Sequence, residues 1–269
     1  MTMQDPNILN AFILLDRSVA FPVSLLITIA SVSLCSIIAF YFFRSYKFSG
    51  FRYLLGLPMG FAILGVSFVC EHLSLIYYPN YLLYHLFFWI QLSLQSEALA
   101  LIALSYMLKN RVGSNGRDNA TADLDLSKAI IHYSMSTKAR DLLIDILPMI
   151  VISIPFMVTI SALFVQPFLN DVELADLSFY MKIFDMIILG YVFKSTIVSL
   201  VKGGNIKLLY VPAAFALLWL GQYSLMINYF DNDSIPFIGS IVARLAGLAL
   251  FVYAIHYAMS GGVKREMEI

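Results

Sequence analysis

Long apolar stretches alternate with polar connections along this chain, and seven of the stretches are long enough to cross a bilayer. A membrane-spanning helix needs about 20 predominantly apolar residues. Backbone groups cannot stay unpaired in hydrocarbon, and strand-like alternation is absent, so we predict helices rather than a β-barrel. The seven predicted crossings are 20–43, 51–78, 81–108, 142–169, 177–201, 206–230 and 235–259.

The connections differ in charge, and this difference orients the chain. Lys and Arg lie in the connections between helices one and two, three and four, and five and six, and in the C-terminal tail, whereas the three other connections hold neither. By the positive-inside rule, the N-terminus is outside and the C-terminus is cytoplasmic. The predicted organisation is an outer segment at 1–19, a seven-helix transmembrane domain at 20–260 and a cytoplasmic tail at 261–269.

One cytoplasmic connection, residues 109–141, is longer than the others. Its segment 113–121 is rich in Gly, Asn and Ser and predicts a flexible loop. Residues 127–140 set Ile130, Ile131 and Met135 against basic side chains. They form either an amphipathic helix on the inner membrane surface or the cytoplasmic start of helix four. We expect a cytoplasmic or membrane protein partner to contact this loop.

Composition agrees with a multi-pass protein of the cell membrane. Apolar residues make up 60% of the 269 positions and charged residues 13%, and the mean hydropathy is +0.82. Soluble domains carry about 25% charged residues, so this chain has too little polar surface for a water-soluble globule and we expect the lipid bilayer to surround it. With a net charge of zero and no basic patch, nucleic acid is excluded as a partner.

A weak internal repeat joins the two halves of the chain. Residues 60–64 (GFAIL) resemble 214–218 (AFALL), and the end of helix three at 102–106 resembles the end of helix seven at 253–257. The matching helices run in the same direction, which predicts a 3+1+3 arrangement. Chance similarity between apolar segments is the alternative.

Several polar side chains fall at one depth inside the predicted crossings. Ionisable groups in a span usually face the bundle interior or a wet cavity. Counting 1.5 Å per residue puts residues of five helices roughly 10–14 Å below the outer surface. They are Glu71, Gln91, Asp185, Gln222 and Arg244, with Trp89 and Trp219 as candidate walls.

From this shared depth we predict an outward-opening ligand pocket in which Arg244 pairs with Glu71 or Asp185. Two alternatives stay open. The pair can be a structural salt bridge that binds nothing, or outer side chains such as His72 and Lys182 can extend to the lipid headgroups.

The deepest carboxylate is Glu97 on helix three, which is either a proton-relay group or a protonated hydrogen-bonding residue. Lys194 lies at a similar depth on helix five. It is nine residues from Asp185, about 180° around the helix, so both cannot face one cavity. We expect Lys194 to reach the inner surface.

Motifs for catalysis and cofactors are absent from the sequence. There is no HExxH, no Gly-x-Ser-x-Gly and no phosphate-binding Gly loop, and the four histidines are dispersed. Predicted helix seven contains no lysine for a retinal Schiff base. We therefore predict that the protein is not an enzyme and holds no metal or cofactor.

Two short patterns carry a family resemblance. Residues 51–56 (FRYLLG), followed by Gly60, and residues 244–247 (RLAG) are similar to segments of uncharacterised archaeal seven-helix membrane proteins. The layout also resembles the membrane sensory modules of prokaryotic signalling proteins. Those modules commonly precede an output domain, whereas this chain ends at Ile269, so we expect a separate partner to carry any signal.

Three functional hypotheses follow. The first is a receptor-like or sensory module with an outward-facing polar pocket. The second is a small secondary transporter, which the repeat, Glu97 and the prolines of the helices favour. The third is a non-catalytic subunit of a membrane complex.

Overall fold

The computed structural model describes residues 17–49, 55–77, 80–118, 171–203, 209–230 and 234–266, with the single positions Met157 and Ile160. Six helices account for nearly all of this part. They are α1 (Arg17–Ser49), α2 (Gly56–Ile76), α3 (Tyr81–Asp118), α4 (Asp171–Gly203), α5 (Tyr210–Phe230) and α6 (Ser234–Glu266). Each contains a stretch of 18 to 28 residues that is long and apolar enough to cross a membrane.

These helices confirm the all-helical, membrane-type architecture for the described part of the chain, and they correspond to six of the seven predicted crossings. The fourth prediction, 142–169, lies outside the described residues apart from two positions, and so does the amphipathic segment at 127–140. The count of seven, the orientation and the 3+1+3 arrangement stay predictions.

Two helices continue beyond the predicted crossings. Helix α3 continues to Asp118, so the predicted loop 109–141 begins as helix, and α6 continues to Glu266 into the predicted tail 261–269. Residues such as Gly and Ser disfavour a helix interior by at most about 1 kcal/mol each. Extending a helix that already exists adds a hydrogen bond for every residue fixed. A helix can therefore extend past the apolar stretch from which its crossing is predicted.

Proline marks the start of three helices. Pro58, Pro212 and Pro236 are each the third residue of α2, α5 and α6, respectively. The first turn of a helix contains N–H groups with no partner inside the helix, so a proline there sacrifices no hydrogen bond.

The six helices form a closed ring, because each packs against the next and α1 also packs against α6. Neighbours are antiparallel except for two pairs, α1 with α6 and α3 with α4. In the second pair, Trp89 near the start of α3 packs with Leu177 near the start of α4. Asp118 and Asp171 therefore lie at opposite ends of the pair. We call the end where α1, α3, α4 and α6 begin the N-terminal end.

One hydrophobic core receives side chains from all six helices. Inside it, five aromatic rings form a chain from α1 through α2, α6 and α5 to α3. The ring centroids are 5.9 Å apart for Phe42 and Phe61, 5.4 Å for Phe61 and Phe251, 4.6 Å for Phe251 and Phe215, and 5.7 Å for Phe215 and Tyr106. Aromatic pairs at these separations contribute about 0.5–1.5 kcal/mol each beyond the area they bury.

Glycine allows two helix pairs to approach closely. A Cβ atom on Gly60 of α2 would lie 2.8 Å from the backbone oxygen of Ala98 on α3, and one on Gly247 of α6 would lie 3.0 Å from the backbone oxygen of Ala214 on α5. Small residues at such crossings bring backbones into van der Waals contact, which is the main attraction between helices in lipid. These contacts fix the positions of α2 and α6, the two helices that carry the ion pair described next.

Candidate ligand site

An ion pair joins α2 to α6 near the N-terminal end of the bundle. Arg244 Nη1 donates to Glu71 Oε2 across 2.7 Å, and the two side chains are only 15% and 28% exposed, respectively. A charge-assisted hydrogen bond of this length is roughly twice as strong as one between neutral groups. Of the two partners that the sequence offered to Arg244, the structure selects Glu71.

A second contact holds the guanidinium of Arg244 in place. Its Cζ atom lies 4.4 Å from the centroid of the Phe68 ring, which is a cation–π contact. Phe68 and Glu71 are three residues apart on α2, so they lie on one face of that helix. The guanidinium is consequently fixed by a ring and a carboxylate that α2 presents together.

The ion pair lies in the wall of a groove between α1, α2 and α6. The groove has a volume of about 390 Å³, within the range of small-molecule sites. Most of its surface is apolar, and its outer rim is exposed at Val23, Ile238 and Val242. The lining residues are Val23, Ser24, Ile27, Thr28, Glu71, His72, Leu75, Phe237, Ile238, Ile241, Val242, Arg244 and Leu245.

The sequence-based site prediction did not include the α1 side of this groove. Ser24 Oγ and His72 Nδ1 form a hydrogen bond of 3.3 Å, and Thr28 Oγ1 donates to the backbone oxygen of Ser24 across 2.9 Å. The sequence offered one indication of this side of the groove, namely a serine and a threonine four residues apart near the start of an apolar helix. Such residues are common in membrane helices, so sequence alone does not separate these two from others.

A second, smaller cavity lies on the other side of Arg244, between α2, α3, α4, α5 and α6. Its volume is about 20 Å³, enough for one water molecule. Its polar lining comes from Gln95, Gln222, Ser240 and Arg244. Gln91 reaches it indirectly, since its Nε2 donates to Gln95 Oε1 across 3.4 Å. Gln222 Oε1 and Arg244 Nε are buried there, and neither has a hydrogen-bond partner in the structure.

Asp185 occupies a separate position in the described part of the bundle. It is fully buried on α4, lines neither cavity, and accepts no hydrogen bond at either carboxylate oxygen. The neighbouring polar side chains are Ser96 of α3 and Lys182, one turn earlier on α4. Asp185 and Arg244 were grouped because of their shared depth, but they do not belong to one site.

The two tryptophans are structural neighbours of these groups rather than walls of the groove. Trp89 is fully buried in a small cluster with Phe88, Leu92 and Leu177. Trp219 Nε1 donates to the backbone oxygen of Met186 across 3.1 Å and thereby ties α5 to α4. Neither lines the groove or the smaller cavity.

Comparison with models of known protein families, with curated proteins and with solved structures found no match to this chain. Among the residues that the structure describes, no three His, Cys, Asp or Glu side chains are grouped so that they could hold a metal ion. The geometry of the groove and of the buried polar groups is therefore the basis for inferring a function.

The remaining candidates, Glu97 and Lys194, lie away from the groove. Glu97 is half-buried on α3 and lines neither cavity, and Lys194 is exposed on α4. The exposure of Lys194 and the burial of Asp185 agree with the half-turn between them that the helical period predicts. Among the residues that the structure describes, Asp185 is a completely enclosed carboxylate, whereas Glu97 is only half-buried.

Proposed function

We propose that this protein is a receptor-like sensory module of the cell membrane that binds a small molecule in the groove between α1, α2 and α6. The observation that carries the proposal is the Glu71–Arg244 pair, formed at 2.7 Å in the wall of an apolar groove of about 390 Å³. A few fixed polar groups in an apolar cleft are typical of ligand sites. Intramembrane charge is a functional hypothesis by default.

The proposed topology has seven crossings, with the N-terminal end of the bundle outside. The positive-inside charge bias supports this orientation. The parallel packing of α3 and α4 supports a further crossing, because Asp118 and Asp171 lie at opposite ends of that pair. In this topology the groove opens outward, and the connection 109–141 is available to a separate cytoplasmic partner.

A thermal-shift screen tests the binding proposal. Small molecules would be added to the wild-type protein in lipid nanodiscs and to the Arg244→Gln variant, with Lys194→Gln as a matched loss of charge outside the groove. We expect ligands that stabilise wild type and Lys194→Gln but not Arg244→Gln. A screen in which every stabilising molecule acts equally on all three proteins would reject the groove as the site.

Reporter fusions test the topology. A reporter that is active only in the cytoplasm would be fused after residue 115 and after the C-terminus, and we expect activity from both. The same reporter fused at the N-terminus is expected to be inactive. Activity from the N-terminal fusion would invert the proposed orientation.

A secondary transporter is the second candidate, and Asp185 favours it. A fully enclosed carboxylate without hydrogen-bond partners is the kind of group that carries a proton through a membrane protein. Purified protein in liposomes would distinguish the two functions. Uptake of a groove ligand that is lost in Asp185→Asn and retained in Lys194→Gln would support transport. Binding without uptake would support the receptor.

A further inference from the structure

The charge balance of the groove restricts the chemistry of its ligand. Glu71 and Arg244 neutralise each other, and the polar groups of α1 already bond within the wall, Ser24 with His72 and Thr28 with a backbone oxygen. The rest of the lining is apolar. The groove therefore presents one net-neutral polar pair at the side of an apolar trough.

A charged headgroup would add a third charge to this pair. An anion that bonds to Arg244 would lie beside the like charge of Glu71, and a cation that bonds to Glu71 would lie beside the like charge of Arg244. Either arrangement leaves one charge in excess in a poorly solvated wall, which is unfavourable. An uncharged headgroup avoids this excess.

Hydrogen-bonding capacity remains on both members of the pair. The guanidinium has five N–H donors, and the bond to Glu71 uses one of them. Glu71 binds Arg244 through Oε2, so Oε1 remains as an acceptor on the same carboxylate. A hydroxyl or a primary amide can accept from the guanidinium and donate to the carboxylate at once.

The volume of the groove sets the size of the ligand. A volume of about 390 Å³ lies near the lower end of the range of small-molecule sites, which favours a ligand with one alkyl chain over a two-chain bilayer lipid.

We propose that the groove binds an uncharged, single-chain amphiphile whose headgroup is a hydroxyl or a primary amide held between Glu71 and Arg244. The proposal rests on the proposed function, since it names the ligand class of the same groove. The apolar chain would lie against α1 and α6.

Photoaffinity labelling with four matched probes tests the ligand class. The probes are 1-dodecanol, dodecanamide, dodecanoate and dodecylammonium, each with a diazirine in the alkyl chain, applied at equal concentration to the wild-type protein in phosphatidylcholine nanodiscs. We expect the alcohol and the amide to label peptides of α1 and α6 at least tenfold more than either ion. Unlabelled 1-dodecanol should compete with this labelling.

Two variants test the reason for the preference. Glu71→Gln leaves Arg244 without its counterion, so the preferred probe should become dodecanoate. Arg244→Gln should shift the preference toward dodecylammonium, and Lys194→Gln should keep the wild-type order. If Arg244→Gln does not fold, the wild-type order and the Glu71→Gln reversal remain decisive.

The outcomes separate this inference from the proposed function. Absence of labelling by all four probes would overturn the ligand class, whereas the thermal-shift screen decides whether the groove binds any small molecule. Labelling of the groove in which an ion equals or exceeds the neutral probes would overturn the ligand class alone. Displacement by dioleoylglycerol but not by 1-dodecanol would identify a two-chain bilayer lipid and overturn the size inference.

Discussion

Glu71 and Asp185 are two carboxylates of the same bundle that differ in their exposure and in their hydrogen bonds. Glu71 is 28% exposed, borders a groove and bonds to Arg244. Asp185 is completely enclosed, borders no described cavity and accepts no hydrogen bond from the residues around it. The ion pair offsets the desolvation of Glu71, whereas no hydrogen bond in the structure offsets that of Asp185.

The comparison indicates where a ligand and where a proton would act. A paired group with spare hydrogen-bonding capacity can bind a molecule without the bundle changing its charge. A fully enclosed carboxyl group without a hydrogen-bond partner is poorly placed to bind a ligand, but it can still gain or lose a proton. The groove with the Glu71–Arg244 pair is therefore suited to binding, and Asp185 to a step that depends on protonation.

The largest effect is expected at the ion pair. Arg244→Gln leaves Glu71 without its partner, and we expect a loss of unfolding free energy on the order of 3 kcal/mol. Glu71→Gln should cost less, because Arg244 keeps its contact with Phe68 and retains an amide acceptor. The measurement is reversible unfolding in detergent micelles for both single variants and the double variant.

A thermodynamic cycle completes this test. If the pair acts as described, the double variant loses less stability than the sum of the two single variants. Additive losses would mean that the two residues do not interact, and Glu71 could then not be described as a carboxylate stabilised by its partner. Lys194→Gln, an exposed charge removal, should stay within about 0.5 kcal/mol of wild type.

The same acid-to-amide change should act in the opposite direction at the enclosed carboxylate. Asp185→Asn replaces an enclosed carboxyl group, whose oxygens have no hydrogen-bond partner in the structure, with an amide of almost the same shape that cannot ionise, so we expect a gain on the order of 1 kcal/mol. Unfolding under the conditions used for Glu71→Gln measures it. Equal destabilisation by Asp185→Asn and Glu71→Gln would show that Asp185 does have a stabilising partner.

The sequence predicted the helices of this bundle better than it predicted the direction in which each helix turns its side chains. Apolar length located six helices, and a count of helical rise placed Glu71 and Arg244 at one level, where they do meet. The same count placed Asp185 at that level, and Trp219 was a candidate wall, but neither residue lines the groove or the smaller cavity. Rise is fixed by backbone geometry, but the direction that a side chain faces depends on which helices surround it.

The groove was not predictable for a related reason. The apolar part of its lining comes mostly from α1 and α6, and apolar residues look the same in sequence whether they face lipid or a cavity. The ring closure that brings α1 against α6 joins the first and last described helices. No local pattern specifies such a contact.

The smallest effect compares a paired and an unpaired hydroxyl on α1. Ser24 Oγ bonds to His72, whereas Ser31 Oγ, seven residues further along the same helix, is buried without a hydrogen-bond partner in the structure. Ser24→Ala should cost about 1 kcal/mol, since it leaves the imidazole nitrogen without that bond. Ser31→Ala should be neutral or slightly stabilising, because it removes a hydroxyl that burial penalises.

The two serine variants are matched in chemistry, helix and volume removed, so the difference between them isolates the hydrogen bond. Unfolding in the same micelles gives both values. A larger loss for Ser31→Ala than for Ser24→Ala would mean that packing on α1, rather than the pairing of polar groups, sets the stability of this wall. A larger loss for Ser24→Ala would extend the contrast between Glu71 and Asp185 to uncharged groups. In both comparisons, removing a group that has a hydrogen-bond partner would destabilise the protein, and removing one without a partner would not.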